Sequence, residues 1–193
     1  MTTLQQEHMA IAKRLVMTRD RVFRHYLDAI IVAVISFIFV YLIAKGFIGK
    51  AGHYDSPYFL IFLIFPVLSF FLFIKQYSSL RLKEFNNGFS KAENYRLAKE
   101  TLKTLGWQIR IDNKGFIEAY TNTGGWFSLT WTDQMISVVI TDGKILFNSI
   151  SNVDTYATQV ITYGQNKRNM KKFAETFELL SVSRTAQQPT EHL

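Results

Sequence analysis

Four histidines, His8, His25, His53 and His192, are the chain's whole supply of imidazole, and there is no cysteine. These are the side chains that most often hold transition metals or work as base and nucleophile near neutral pH. None of the four lies between residues 90 and 182, where the polar, regularly patterned part of the sequence is found. That part therefore lacks the central group of the common zinc sites, of a Ser-His-Asp triad and of histidine acid/base chemistry. Carboxylates remain, at Asp112, Glu118, Asp133, Asp142 and Asp154. Asp112 and Asp142 stand at strand ends or turns, where acids serve the backbone, so a catalytic pair is not the favoured reading. No GxGxxG or GxxxxGK[ST] pattern occurs, and Gly124-Gly125 reads as a turn, not a phosphate cradle. The expectation is no catalytic residue, no metal and no cofactor.

Charge narrows the partners. The net charge is +7, but residues 90–182 carry eleven Lys/Arg against nine Asp/Glu, while residues 1–28 carry five against three and residues 75–89 three against one. A nearly neutral domain gains little from counterion release, so nucleic acid is not expected as a partner. The excess flanks two apolar runs, which is where a membrane protein places it. Within the domain one basic group stands out, Lys167, Arg168, Lys171 and Lys172. A solvated helix face is its plainer reading, and contact with anionic headgroups the sharper one.

The two runs are LDAIIVAVISFIFVYLIAKGFIG and PYFLIFLIFPVLSFFLFI. At 1.5 Å per residue each reaches close to the about 30 Å of a hydrocarbon core, which predicts helices at about 27–48 and 57–76. Only KAGHYDS separates them, so residues 26–76 read as a two-helix transmembrane hairpin. Ala29, Ala33 and Ser36 put small side chains on one face of the first helix, where the second can approach closely, and Pro66 interrupts the second. Neither run holds an ionisable group at depth, which speaks against a pore or proton relay. Ten basic residues on the outer flanks against Lys45 and Lys50 in the turn put both termini in the cytoplasm.

Residues 1–25 read as a basic amphipathic segment on or entering the membrane, with Leu4, His8, Ile11 and Leu15 at helical spacing and Arg19, Arg21 and Arg24 at headgroup level, or equally as a partly ordered leader whose only task is to fix orientation. Residues 77–89 read as a juxtamembrane linker, helical at first and broken at Asn86-Asn87-Gly88. A cytoplasmic domain follows at 90–182. Ser90 and Glu93 form a capping-box pattern ahead of a stripe of Tyr95, Ala98, Leu102 and Leu105 that ends at Gly106. WQIRID, FIEAYT, WFSLTW, MISVVIT and ILFNSI then alternate and are joined by turn residues, including Asp142-Gly143. Residues 152–164 show no clear period and have room for one irregular edge strand. A second helix carries Met170, Phe173, Phe177 and Leu180, and residues 183–193 form a polar, disordered tail. The fold class expected is an α+β membrane protein: the hairpin plus a two-layer cytoplasmic domain of helix, five-stranded antiparallel meander and helix.

In that arrangement one sheet face stays open. Trp126 and Trp131, five apart, face opposite sides of a straight strand, so one of them is exposed there. Arg110, Trp126, Ser128 and Thr130 are the candidate binding residues, with Glu118 a neighbour. The block from GWQIRIDNKGFIEAYTNT through ITDGKILFNSIS to TYGQNKRNMKKF resembles a module of small bacterial membrane-anchored proteins of unknown function. The resemblance covers the second half of the chain and implies a bacterial inner (cytoplasmic) membrane location. The function expected is that of a membrane-anchored interaction module, an assembly, regulatory or inhibitory subunit whose partners are the lipid bilayer and a protein or a second copy. The alternative is binding of a lipid or small apolar ligand between sheet and helices.

Overall fold

The computed structural model describes residues 2–49, 58–121, 133–154 and 164–187. Its described residues divide into a helical unit, Met17–Ser79, and a sheet unit built from the residues up to Val16 and those from Leu80 onward.

The helical unit consists of α2 (Arg19–Gly49) and α3 (Tyr58–Ser79); α1, the shortest of the described helices, lies upstream at Thr3–Ala12. Helix α2 starts eight residues before the predicted 27, because nothing in RDRVFRHY breaks a helix. The Thr18 hydroxyl accepts from the Arg21 amide at 3.4 Å, and Arg24 pairs with Asp20 one turn back at 3.0 Å. Contacts run in opposite chain directions along the two helices, so they are antiparallel. His25 Nε2 lies 2.9 Å from the Gln76 carbonyl, Tyr26 stacks on Phe73, the Ser69 hydroxyl donates to the Ala29 carbonyl at 3.1 Å, and Phe39 stacks on Phe65. The small face expected on α2 is where α3 comes close: Ala29 and Ser36 are buried, and Ala29, Ala33 and Ser36 line one apolar groove with Pro66 and Ser69. Among the described residues one stretch, Arg19–Leu42, is long and apolar enough to cross a membrane, and Ile64–Ser79 is a shorter apolar helix. The turn expected at residues 50–56 lies outside the described residues.

The sheet unit holds five antiparallel strands, β1 (Lys83–Asn86), β2 (Gln108–Asn113), β3 (Phe116–Tyr120), β4 (Gln134–Ile140) and β5 (Lys144–Ser151), in the order β1-β5-β4-β3-β2. Helix α4 (Lys91–Thr104) carries the chain from one edge strand to the other, and α5 (Gln165–Gln187) follows the sheet. Two features depart from the expected meander. The segment WFSLTW, expected as a strand, lies outside the described residues, and β3 is the direct hydrogen-bonded neighbour of β4, Tyr120 opposite Met135. The fifth strand comes instead from the predicted linker, where Lys83–Asn86 pairs with Lys144–Phe147. Its helical promise yields to tertiary packing: Leu80 and Leu82 are buried, and the Phe85 ring meets Phe147 and Phe173.

One face of the sheet packs on α4 and α5. Ile117, Ala119, Ile136, Val138, Ile140, Ile145 and Phe147 meet Leu97, Leu102, Trp107, Phe173 and Phe177, and the Phe147 and Phe173 rings stack 4.3 Å apart. Helix α4 begins as its sequence announces, with the Ser90 hydroxyl accepting from the Glu93 amide and the Glu93 carboxylate from the Ser90 amide. Asp142, in the β4–β5 turn, adds a carboxylate that accepts from the Lys91 amide at 2.8 Å, an acid placed at the positive end of the helix. The turn itself needs Gly143 at φ +75°.

The other face is not open. Phe116, Met135, Val139, Leu146 and Ile150 alternate with the first set and are 3% exposed or less. The N-terminal segment contributes to the cover: of the residues expected to form one membrane-surface segment over 1–25, those up to Val16 belong to the sheet unit. Helix α1 contacts β4, Met9 is fully buried, and Gln6 Nε2 donates to Asn113 Oδ1 at 3.2 Å. Lys13 stops the helix in the left-handed conformation at φ 49°, so Leu15 leaves the predicted stripe and is buried separately, while Leu4 and Ile11 stay exposed. Residues 13–15 then run alongside 80–82: the Leu15 amide donates to the Leu80 carbonyl and the Leu82 amide to the Lys13 carbonyl, both at 2.9 Å. The described sheet thus carries helices on both faces, three layers and not two, and its domain includes the N-terminal residues.

Candidate functional site

The site grows from three side chains set in line across the second face. Register puts Glu118 of β3 opposite Ser137 of β4, and Ser137 opposite Asn148 of β5. All three are 3% exposed or less, a polar row inside an otherwise apolar layer. Buried polar groups need partners. Asn148 Nδ2 donates to the Arg81 carbonyl at 2.8 Å, and Glu118 Oε1 accepts from the Tyr120 hydroxyl at 3.0 Å. The Ser137 hydroxyl has no hydrogen-bond partner among the described residues.

At the β3 end the row opens into a charged cluster. The Tyr120 hydroxyl also lies 3.0 Å from Asp154 Oδ2, and Arg110 Nη1 donates to that hydroxyl at 3.1 Å and to Asp154 at 2.9 Å. The guanidinium sits 5.6 Å from the Tyr120 ring centroid, within cation–π reach. A bulge delivers Arg110 here. Ile109 pairs with Ala119 and Ile111 with Glu118, so Arg110 is the extra residue of β2 and opposes none of β3. One tyrosine proton cannot serve Glu118 and Asp154 together, so the hydroxyl donates to one of them at a time while accepting from Arg110. Burial first, and then the Glu118 charge, push the Tyr120 hydroxyl well above the ordinary tyrosine value. It stays protonated at neutral pH, a donor to either carboxylate in turn and not a base.

The cluster includes one residue of the predicted set, Arg110, and its predicted neighbour Glu118. Trp126, Ser128 and Thr130 lie outside the described residues. Tyr120 and Asp154 were not foreseen as members. Tyr120 shares a strand face with Glu118 two residues away, a signal that alternation contains, whereas Asp154 sits in an aperiodic stretch that offers none. The open face on which these residues were expected is closed over β4, β5 and the Phe116–Glu118 part of β3, whose side chains there are buried, while Gln108 and Arg110 of β2 are exposed. The basic residues are distributed differently. Lys167, Arg168, Lys171 and Lys172 are all exposed on α5; Arg19 is exposed, and Arg21 and Arg24 half-buried, in the first turns of α2. Among the described residues no group of three or more His, Asp or Glu side chains is placed to hold a metal ion.

Fold and site together define an α+β protein whose five-stranded antiparallel sheet is accompanied by a separate pair of apolar helices. No protein-family model, no curated protein and no solved structure matches the chain.

Proposed function

We propose that the chain is a membrane-anchored interaction module. In this reading α2 and α3 form a transmembrane hairpin in a bacterial inner membrane, and both termini are cytoplasmic. Arg19, Arg21 and Arg24 sit at headgroup level, and the sheet unit serves as an assembly, regulatory or inhibitory subunit for a protein partner or a second copy. The observation that carries it is the apolar surface of α2: Phe37, Ile38, Val40, Tyr41 and Leu42 are exposed along a helix long enough to span a bilayer. Such a surface is stable in lipid or against another protein and costly in water. The excess of Lys/Arg outside the hairpin supports the orientation.

The alternative puts a lipid or small apolar ligand between sheet and helices. That space is filled by the stacked rings of Trp107, Phe147 and Phe173, which favours the interaction reading. The test is purification of the full chain in mild detergent. A stoichiometric partner or a stable homo-oligomer is expected; a lone monomer carrying extractable lipid supports the alternative. Recovery of the chain from cells without any detergent overturns both the anchor and the module.

A further inference from the structure

The outward face of α5 has a composition that its packing does not explain. The helix turns Phe173 and Phe177 into the core, at 0% and 6% exposure. At 100° per residue the opposite side carries Arg168, Lys171 and Lys172 in its first half, Glu175 in the middle, and Leu179 and Val182, with Glu178 at the margin, in its second. The basic side chains are exposed, and Leu179 and Val182 are 71% and 62% exposed. Glu175 reaches Lys171 at 3.6 Å, but with both side chains mostly in water the pair is screened and weak.

We infer that this face docks on the anionic headgroup layer of the membrane, the basic half pairing with lipid phosphates while Leu179 and Val182 enter the boundary with the acyl chains. The inference rests on the membrane anchorage proposed above and names a surface that this anchorage would use. Charge complementarity selects the occupant: four exposed cations, Lys167, Arg168, Lys171 and Lys172, outnumber Glu175 and Glu178 on this side of the helix, and a surface that is net basic with apolar residues beyond matches an interface that is anionic outside and hydrocarbon inside. A protein surface would have to supply both in the same order. Anchorage removes the entropic obstacle to so small a contact. The chain passes between the two units at Val16–Met17 and again at Ser79–Leu80, so the sheet unit meets headgroups at the effective concentration of a tethered domain.

The absence of cysteine makes the test clean. Single-cysteine variants Leu179→Cys and Val182→Cys of the full chain, with Lys114→Cys in the exposed β2–β3 turn as reference, are spin-labelled and reconstituted into nanodiscs. The discs contain phosphatidylcholine alone or phosphatidylcholine with phosphatidylglycerol. Collision rates with oxygen and with a water-soluble nickel complex are compared. The expected result is a several-fold rise in the oxygen-to-nickel ratio at 179 and 182 in the anionic discs only, no change at 114, and loss of the rise when Lys167, Arg168, Lys171 and Lys172 are all replaced by Gln. Labels at 179 and 182 that stay nickel-accessible in anionic discs overturn the inference alone. So does protection that is already complete in phosphatidylcholine or in detergent, which points to a protein contact. A chain that does not enter discs at all overturns the anchorage and the inference with it.

Discussion

Over the central strands β4 and β5 the two faces of the sheet are equally dry and differently made. Against α4 and α5 the strands present Ile117, Ile136, Val138, Ile145 and Phe147, and the partners are rings and aliphatic chains. On the side that α1 helps to cover, the apolar residues Phe116, Met135, Val139, Leu146 and Ile150 are interleaved with Glu118, Ser137 and Asn148. The first face is held by area and close packing, forces that depend on little beyond shape. The second adds hydrogen bonds whose loss is costly only because the groups are already out of water. Dryness alone therefore does not reveal what a layer is for. A polar row in register across three strands ties the alignment of β3, β4 and β5 to particular side chains, since a slip of one residue would expose every one of them to an apolar neighbour.

The contrast can be broken in four ways, the strongest first. Phe173→Ala removes a fully buried ring stacked on Phe147 and Phe177 and is expected to cost about 3–5 kcal/mol, read from urea unfolding of the detergent-solubilised chain. Met9→Ala probes the second face through its N-terminal cover. A loss of about 2–4 kcal/mol is expected for a side chain this buried, and a loss below about 1 kcal/mol would mean that α1 contributes little to the fold. Ser137→Ala should leave stability unchanged or raise it by up to about 1 kcal/mol, because it deletes a buried hydroxyl that has no partner among the described residues. A clear loss in the same titration would reveal a bond to that oxygen.

The smallest effect is on pH. Glu84 accepts from Lys13 and from Lys144, the latter at 2.9 Å, and these contacts hold its carboxyl below the ordinary value. A depressed native value means that the tie is fully present above the unfolded value, about pH 4.3, and is lost as pH falls through the native one. Amide exchange in α1 should therefore accelerate below about pH 4 relative to α4. Glu84→Gln should remove that pH dependence, and an unchanged profile would separate the N-terminal segment from Glu84.

What could be read from the sequence divides along the same line. The β2–β3 and β4–β5 hairpins, the Ser90 capping box and the stripe of Met170, Phe173, Phe177 and Leu180 are local patterns, and each appears where its residues stand. The second face needed information from far along the chain. Nothing near Met9 says that strands more than a hundred residues later will bury it, and the helical spacing of Leu4, His8 and Ile11 pointed to the wrong surface. The KEFN strand was hidden by its neighbours, because a charged tetrapeptide after an apolar helix reads as the end of that helix until Ile145 and Phe147 are there to pair with it. The bulge at Arg110 has no mark at all in QIRID, so the residue could be named as a candidate while its company, Tyr120 and Asp154, could not.

The docking of residues 13–15 beside 80–82 also imposes a timetable on biosynthesis. When the first sixteen residues leave the ribosome, none of their lasting neighbours yet exists, and the whole apolar pair of helices must be made before Leu80 and Leu82 appear. Met9 waits longer still, until the β4 sequence has emerged. Residues 2–16 are thus translated well before the partners they keep, and any factor that shields nascent chains would meet them during that interval.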